Sequence, residues 1–574
     1  MEYSSIAERK QAQLWERIPQ QWHLSPDLIP AGMHFPADSV TNVQYDRINV
    51  MDIPRTCGLL SPTELKITEK WDVKGLLSQL HSKRLTAKEV IEAFCKRAAI
   101  AHQLTRCLTE PLFDSAIKRA EELDAHLKRT GTPIGPLHGL PISIKDSFNI
   151  RGVDSSVGIA SLALTPSKQD APLVSLLTSL GAIIITKTNV PQTMGALDSA
   201  NHLFGRTLNP RNWQLTVGGS TGGEGALLAL RGSMMGFGTD IGGSIRIPAM
   251  CNGLYGFKPS QGRVPYGGQT DGQPRSKGRV SIQAVAGPIA HSVADIDAVM
   301  THLIPWAQWF GEDCIPGAWP SPLSTFGKNK KRPIVIGVLP HDGLVTPLPP
   351  ISKVLNEVAA SLRRLPGVEV IELPVPKTLS KCQALANKLM AVDGGETMMD
   401  HLEKTKESLI PWLQTRMKRG KPITLAQLTQ LQAARGEIEL ELKKKLWMGG
   451  TDGTGQTVDA IIHPIAPHPV PQLDKYNAVG YTSSFVLLDY PAGTVPVRDF
   501  GRGDLESGVE MDEKVLGSWD KVNRELWDEK KVDRTVYLGS PLSVQVITPR
   551  QHDYELFQAM ELVDRAVKTS SAKL

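Results

Sequence analysis

The sequence predicts an α/β protein, on three observations. Short apolar runs of strand length alternate along the chain with longer segments whose apolar residues recur every three or four positions. Hydrophobic residues make up 41% of the 574 residues and charged residues 21%, enough apolar side chain for a large core and too little charge for a disordered chain. Between Gly218 and Arg246, two glycine-rich turns flank an apolar helix-like segment, and loops of this kind carry chemistry on α/β scaffolds.

In chain order, IAERKQAQLWERI has helical periodicity, and a connection dotted with Pro30, Pro36 and Pro54 leads from it to the main body. Residues 1–58 are therefore expected to be an N-terminal helical extension and linker, and 59–570 the main domain. SPTELKITE and the stretch from VKGLLSQL to EAFCKRAAIAHQ read as capped helices. PLHGLPISIKDSF contains a short strand, and PLVSLLTSLGAIIITKTNV is a helix followed by a buried strand. The second half repeats the pattern. PIVIGVLP, VEVIELP, DAIIHPIAP and PLSVQVIT are strands; ISKVLNEVAASLRRL, LAQLTQLQAARGEIELELKKKLW and HDYELFQAMELVDRAVK are helices. The charged segment 501–534 reads as a surface excursion.

Composition narrows the partners. The net charge is +5, and the one notable basic run, Lys328, Lys330, Lys331 and Arg332, has no aromatic interleaving, so no nucleic-acid surface is expected. Six cysteines lie far apart without CxxC pairs or zinc-ligand spacing, which predicts reduced thiols, no metal and an intracellular setting. The N-terminus is too charged for a signal peptide, and no segment is long and apolar enough to span a membrane. The chain closes on Ala572, Lys573 and Leu574, one substitution from the Ser-Lys-Leu peroxisomal address.

The stretch GGSTGGEGALLALRGSMMGFGTDIGGSIR holds the chemistry. Amide hydrolysis by a serine needs a nucleophile, a base for its proton and donors for the developing oxyanion. In Asp240-Ile241-Gly242-Gly243-Ser244, successive peptide N–H groups with two glycines can form a concave nest beside the Ser244 hydroxyl. Ser220 sits on the other turn. Lys145 ends an apolar strand, where desolvation would lower its pKa and make the amine a usable base. Asp240 and Arg246 flank the nest and are expected to pair, and Cys251 is expected to be a buried thiol without a catalytic role.

These motifs resemble the amidase signature family. GPLHGLPISIKD and KTNVPQTMGA upstream, and NGLYGFKPSQGRVP and VAGPIAHSVADI downstream, are similar to that family's blocks in order and spacing. EAFCKRAAIAHQLT and TLNPRN bring the likeness closest to the fungal acetamidase-type branch. The resemblance implies a large mixed central β-sheet covered by helices on both faces. It implies a Ser, cis-Ser, Lys triad of Ser244, Ser220 and Lys145, with a cis peptide between Gly219 and Ser220. It places an oxyanion site at the N–H groups of Ile241, Gly242, Gly243 and Ser244, with Met194 lining the site through its backbone. The implied reaction is hydrolysis of small primary, acetamide-like amides through an acyl-enzyme, with no cofactor. Thr221 departs from the pattern, since many relatives carry a second serine there. YTSSFVLLDYPAG is a candidate pocket wall. A homodimer is entertained, with no residue pattern to fix it.

Two other readings compete. GGSTG also satisfies G-x-S-x-G, which would make Ser220 the nucleophile of a Ser-His-Asp triad with His463 or His468. An amidotransferase subunit acting with partner chains is the second, since the same family contains such subunits. A nicotinamide site is a weaker reading still, because Ile241 follows Gly236 and Gly238 where G-x-G-x-x-G needs glycine.

Overall fold

Strands alternate with helices along most of the chain, as the periodicity predicts, and among the described residues eleven of the thirteen strands join one sheet. The structure is a computed structural model that describes residues 2–31, 33, 40, 44–270, 281–324, 326–327, 332–448, 457–506, 511 and 514–571. The C-terminal tripeptide and Lys328, Lys330 and Lys331 of the basic run lie outside the described residues. The strands are β1 (Leu108–Pro111), β2 (Pro141–Lys145), β3 (Ile183–Thr188), β4 (Ala200–Asn201), β5 (Gly205–Arg206), β6 (Met235–Asp240), β7 (Tyr255–Lys258), β8 (Val285–Ala290), β9 (Ile334–Val338), β10 (Val368–Glu372), β11 (Ala460–Pro464), β12 (Ala492–Asp499) and β13 (Pro541–Ile547).

The sheet runs β1-β3-β2-β6-β8-β7-β12-β13-β11-β9-β10 and is mixed, while β4 and β5 form a separate antiparallel pair. Its parallel pairs are β3/β2, β2/β6, β11/β9 and β9/β10, and every other neighbouring pair is antiparallel.

Both faces are covered, which is why the strand runs are apolar at consecutive positions rather than at alternate ones. Successive side chains of a strand point to opposite faces. Accordingly Ile336 and Val338 of β9, with Ala460 and Ile462 of β11, enter the main core, while Val335 and Ile461 enter a second. The main core is closed by helices such as Ala87–Thr105, Val293–Phe310 and Asp553–Ser571. The second is closed by Cys382–Met390, Leu425–Trp447 and Gly480–Leu487. Capping boxes start Pro62–Lys70 at Ser61 and Ala87–Thr105 at Thr86, where Ser/Thr and Glu three residues apart signal a helix entry.

The stretch expected as an extension shares this core. Ile6, Ala7 and Leu14 of the helix Tyr3–Glu16 pack in the main cluster together with Ile18 and Trp22. Lys10 of the same helix is buried and donates to Glu110 of β1 and to Asp154. The described part of segment 501–534 is likewise more than an excursion: Leu526 and Trp527 are buried against Phe500 and Tyr537.

Candidate active site

Lys145 ends β2 and Thr239 and Asp240 end its parallel neighbour β6, with Ile144 opposite Phe237. The carboxyl ends of adjacent parallel strands are where α/β sheets open a crevice for ligands. Lys145 is fully buried, and its Nζ donates to Ser220 Oγ at 2.8 Å and to Thr239 Oγ1 at 2.7 Å. Burial pushes its pKa down to about 7, with the charges of Asp240 and Glu224 opposing the shift. At that value, neutral amine is abundant at physiological pH.

Ser220 stands at the entry to the helix Gly222–Ala229, on the Gly218-Gly219 turn. Gly218 has φ +82°, and a Cβ there would lie 2.9 Å from the Pro248 backbone, so the turn requires glycine. The Gly219-Ser220 peptide is cis. Thr221 keeps its hydroxyl within 3.5 Å of the Thr239 carbonyl and fills the space beside Gly238.

Glu224, one turn along the same helix, is completely buried and accepts from the hydroxyls of Ser143 and Thr188. Desolvation raises its pKa to about 8, against those hydrogen bonds and the charge of Lys145. Ser143 precedes Lys145 by two residues on β2, so Glu224 braces the strand that presents the lysine.

The nest turn follows β6. Asp240 and Arg246 pair as expected: Arg246 Nε and Nη2 donate to the two carboxylate oxygens at 3.0 Å each, with both side chains fully buried. Burial pushes the Asp240 carboxyl up, but the Arg246 charge and hydrogen bonds outweigh it and hold the group below its ordinary value. Arg246 also donates to Gln545 and to the Thr482 carbonyl. The Gly243 N–H donates to Asp240 Oδ1 at 2.8 Å, which narrows the expected oxyanion donors to Ile241, Gly242 and Ser244. Thr482 donates to the Gly242 carbonyl. The YTSSF run thus backs the nest from behind, and none of its residues lines the cavity.

Ser220, Thr239, Ile241, Ser244 and Met194 line one cavity of about 720 Å³. Ser220 and Ser244 are 3% and 6% exposed, so both hydroxyls lie at its inner end. Thr193 and Met194 on the wall have φ of +63° and +56°, left-handed values rare for residues other than glycine and frequent at functional sites. The wall is continued by Gly195, Tyr266, Ser281, Ile282 and Ala284, and its far side comes from residues 390–398 and 416–428. Sequence reasoning missed Thr239, Glu224 and this far wall. Thr239 had a signal, since it ends a strand beside the one that ends at Lys145.

The Ser-His-Asp alternative fails on contacts. The Ser220 hydroxyl meets an amine, whereas His463 is buried against the Leu339 carbonyl and stacked on Tyr481. His468 is taken up by Pro469 and Asn477. Cys251 is buried with its thiol pushed up, as an inert thiol should be.

The fold and the cavity define an α/β protein with two serines and a buried amine gathered at one cleft, and its known relatives make it an enzyme that hydrolyses amides. The chain belongs to the amidase family, whose model matches residues 89–557. It is 33% identical to an acetamidase of Aspergillus oryzae, over 98% of each chain. An acetamidase of Emericella nidulans is 34% identical over 96% of this chain and 95% of its own. Among solved structures, a fatty acid amide hydrolase superposes with a TM-score of 0.84 at 28% identity, covering 98% of this chain and 95% of its own. Among the described residues no helix is long and apolar enough to cross a membrane.

Proposed function

We propose that this chain hydrolyses primary carboxylic amides to acid and ammonia with Ser244 as nucleophile, Ser220 as proton bridge and Lys145 as base. The observation that carries the reading is the buried Lys145 amine, 2.8 Å from Ser220 Oγ, beneath a cavity that Ser244 also lines. Neutral Lys145 takes the Ser220 proton as Ser220 takes that of Ser244, and Ser244 Oγ attacks the amide carbonyl. The oxyanion is held by the N–H groups of Ile241, Gly242 and Ser244, with Gly243 fixing the turn through Asp240. Each such donor is worth about 3 kcal/mol in the transition state. The relay returns a proton to the nitrogen, ammonia leaves, and water cleaves the acyl-enzyme by the same route. Met194 shapes the entrance to this end.

The two acetamidases support an acetamide-like substrate. A 720 Å³ cavity admits acyl groups far larger than acetyl, in the range of sites that hold ligands of many heavy atoms. The decisive experiment is mass spectrometry after a serine-directed fluorophosphonate. Label is expected on Ser244 and is lost in Ser244→Ala and Lys145→Ala; label that persists in Ser244→Ala overturns the assignment. Turnover by the purified single chain separates this reading from an amidotransferase subunit, which needs partners.

A further inference from the structure

We propose that the amide taken by this cavity carries an anionic group at the far end of its acyl chain, a carboxylate held by Arg416 with Lys418 and Lys421 beside it. The inference rests on the amidase reading and narrows its substrate.

The cavity has two unlike ends. The serines at one are buried, whereas Arg416, Lys418 and Lys421, which line it too, are exposed. Met194, Met390, Met398 and Met417 also line it, and flexible thioethers suit a run of methylenes. An acyl chain bound with its amide at Ser244 therefore meets apolar walls first and cations at the mouth.

Arg416 is set for a planar anion. Its guanidinium lies 4.0 Å over the Trp412 ring, and Nη1 donates to the Trp412 carbonyl at 3.0 Å and to Thr415 Oγ1 at 3.3 Å. Among the described residues, its Nε and Nη2 have no hydrogen-bond acceptor. A guanidinium fixed in plane with one edge unspent matches the two oxygens of a carboxylate.

The distribution of carboxylates points the same way. Arg419, which does not line the cavity, is paired with Asp400 and Glu403. Lys418 and Lys421 make no ion pair among the described residues. Asp474, whose charge reaches Arg416, is held by Arg206. Asp393 is the one carboxylate on the described lining, and its Oδ1 accepts from the Gly395 N–H. The run Arg416–Lys421 is thus neutralised where it leaves the cavity and cationic where it faces it.

The test compares kcat/KM of the intact chain for monoamides of dicarboxylic acids, from succinic to sebacic, with neutral alkanamides of matched length. The anionic member is expected to be favoured by about tenfold at the length that spans the cavity. Added salt should shrink that ratio, and Arg416→Gln or the double variant Lys418→Glu, Lys421→Glu should bring it toward one. Parity in the native chain, or a preference that survives both variants, overturns the proposal. Calorimetry on Ser244→Ala with adipic monoamide and hexanamide reads the grip without turnover. Tighter binding of the anion sustains the inference even if the native chain hydrolyses neither amide, a result that would instead sink the amidase reading; equal binding overturns it.

Discussion

Lys145 is expected to set the acid limb of the reaction. Its pKa is lowered to about 7 by burial, so below that value the amine is protonated and cannot accept from Ser220. The logarithm of kcat/KM should fall by about one for each pH unit below 7. A rate that stays level down to pH 5 would remove the neutral-lysine relay. The sign is reversed at Glu224, where burial raises the pKa to about 8 and leaves the carboxyl protonated at neutral pH. Glu224→Gln then keeps a neutral group between Ser143 and Thr188 and should unfold close to the native urea midpoint. Glu224→Ala leaves both buried hydroxyls unpaired and should cost about 2 kcal/mol or more. Equal losses for Gln and Ala would mean that the native group is charged.

At the scale of elements, the site is two parallel strand ends, the turn that enters the helix Gly222–Ala229 and the turn that follows β6. The nest depends on Asp240, which accepts from the Gly243 N–H while Arg246 holds its oxygens. Arg246→Met would strand a buried carboxylate, and breaking a buried pair in this way costs about 3 to 5 kcal/mol. Urea unfolding should register that loss together with a fall in kcat. A variant of native stability would show that the pair does not clamp the turn.

What could be read in advance follows from locality. Lys145, Ser220 and Ser244 lie in short motifs where glycine spacing and strand ends mark them. The Asp240 to Arg246 pair lies within one turn and was legible for the same reason. Glu224 stands in the GGEGA run, yet its burial depends on Gly236 and Ser143, which only the sheet brings to it. The far wall of the cavity comes from residues 390–428, and no pattern in those helices signals that they close over a turn near residue 241.

At the scale of the whole molecule, the first helix ties together parts that lie far apart in sequence. Lys10 donates to Asp154, whose carbonyl accepts from Lys187, and Lys187 lies 3.7 Å from Asp146, the residue after the proposed base. At its other end, the Tyr3 N–H donates to the Thr405 carbonyl. Glu407, two residues on, accepts from Gln192 beside the Thr193-Met194 wall. The apolar periodicity of IAERKQAQLWERI reads correctly as a helix, but it does not reveal that this helix covers the main core. Removing residues 1–18 would uncover that core where Ile6, Leu14 and Ile18 pack, each worth about 1.5 to 3 kcal/mol of burial. It would also leave Asp154 without Lys10, and Glu110 without Lys10 and Arg17. The truncated chain is therefore expected to unfold at a markedly lower urea concentration and to lose amide turnover with the fold. Lys10→Ala is a milder version that keeps the helix. Its cost should be about 3 kcal/mol, since two buried carboxylates lose a shared cation while Arg17 still reaches Glu110. If the truncated chain kept the native midpoint and turnover, the helix would be an appendage, and the continuity of the core across residue 58 would carry no stability.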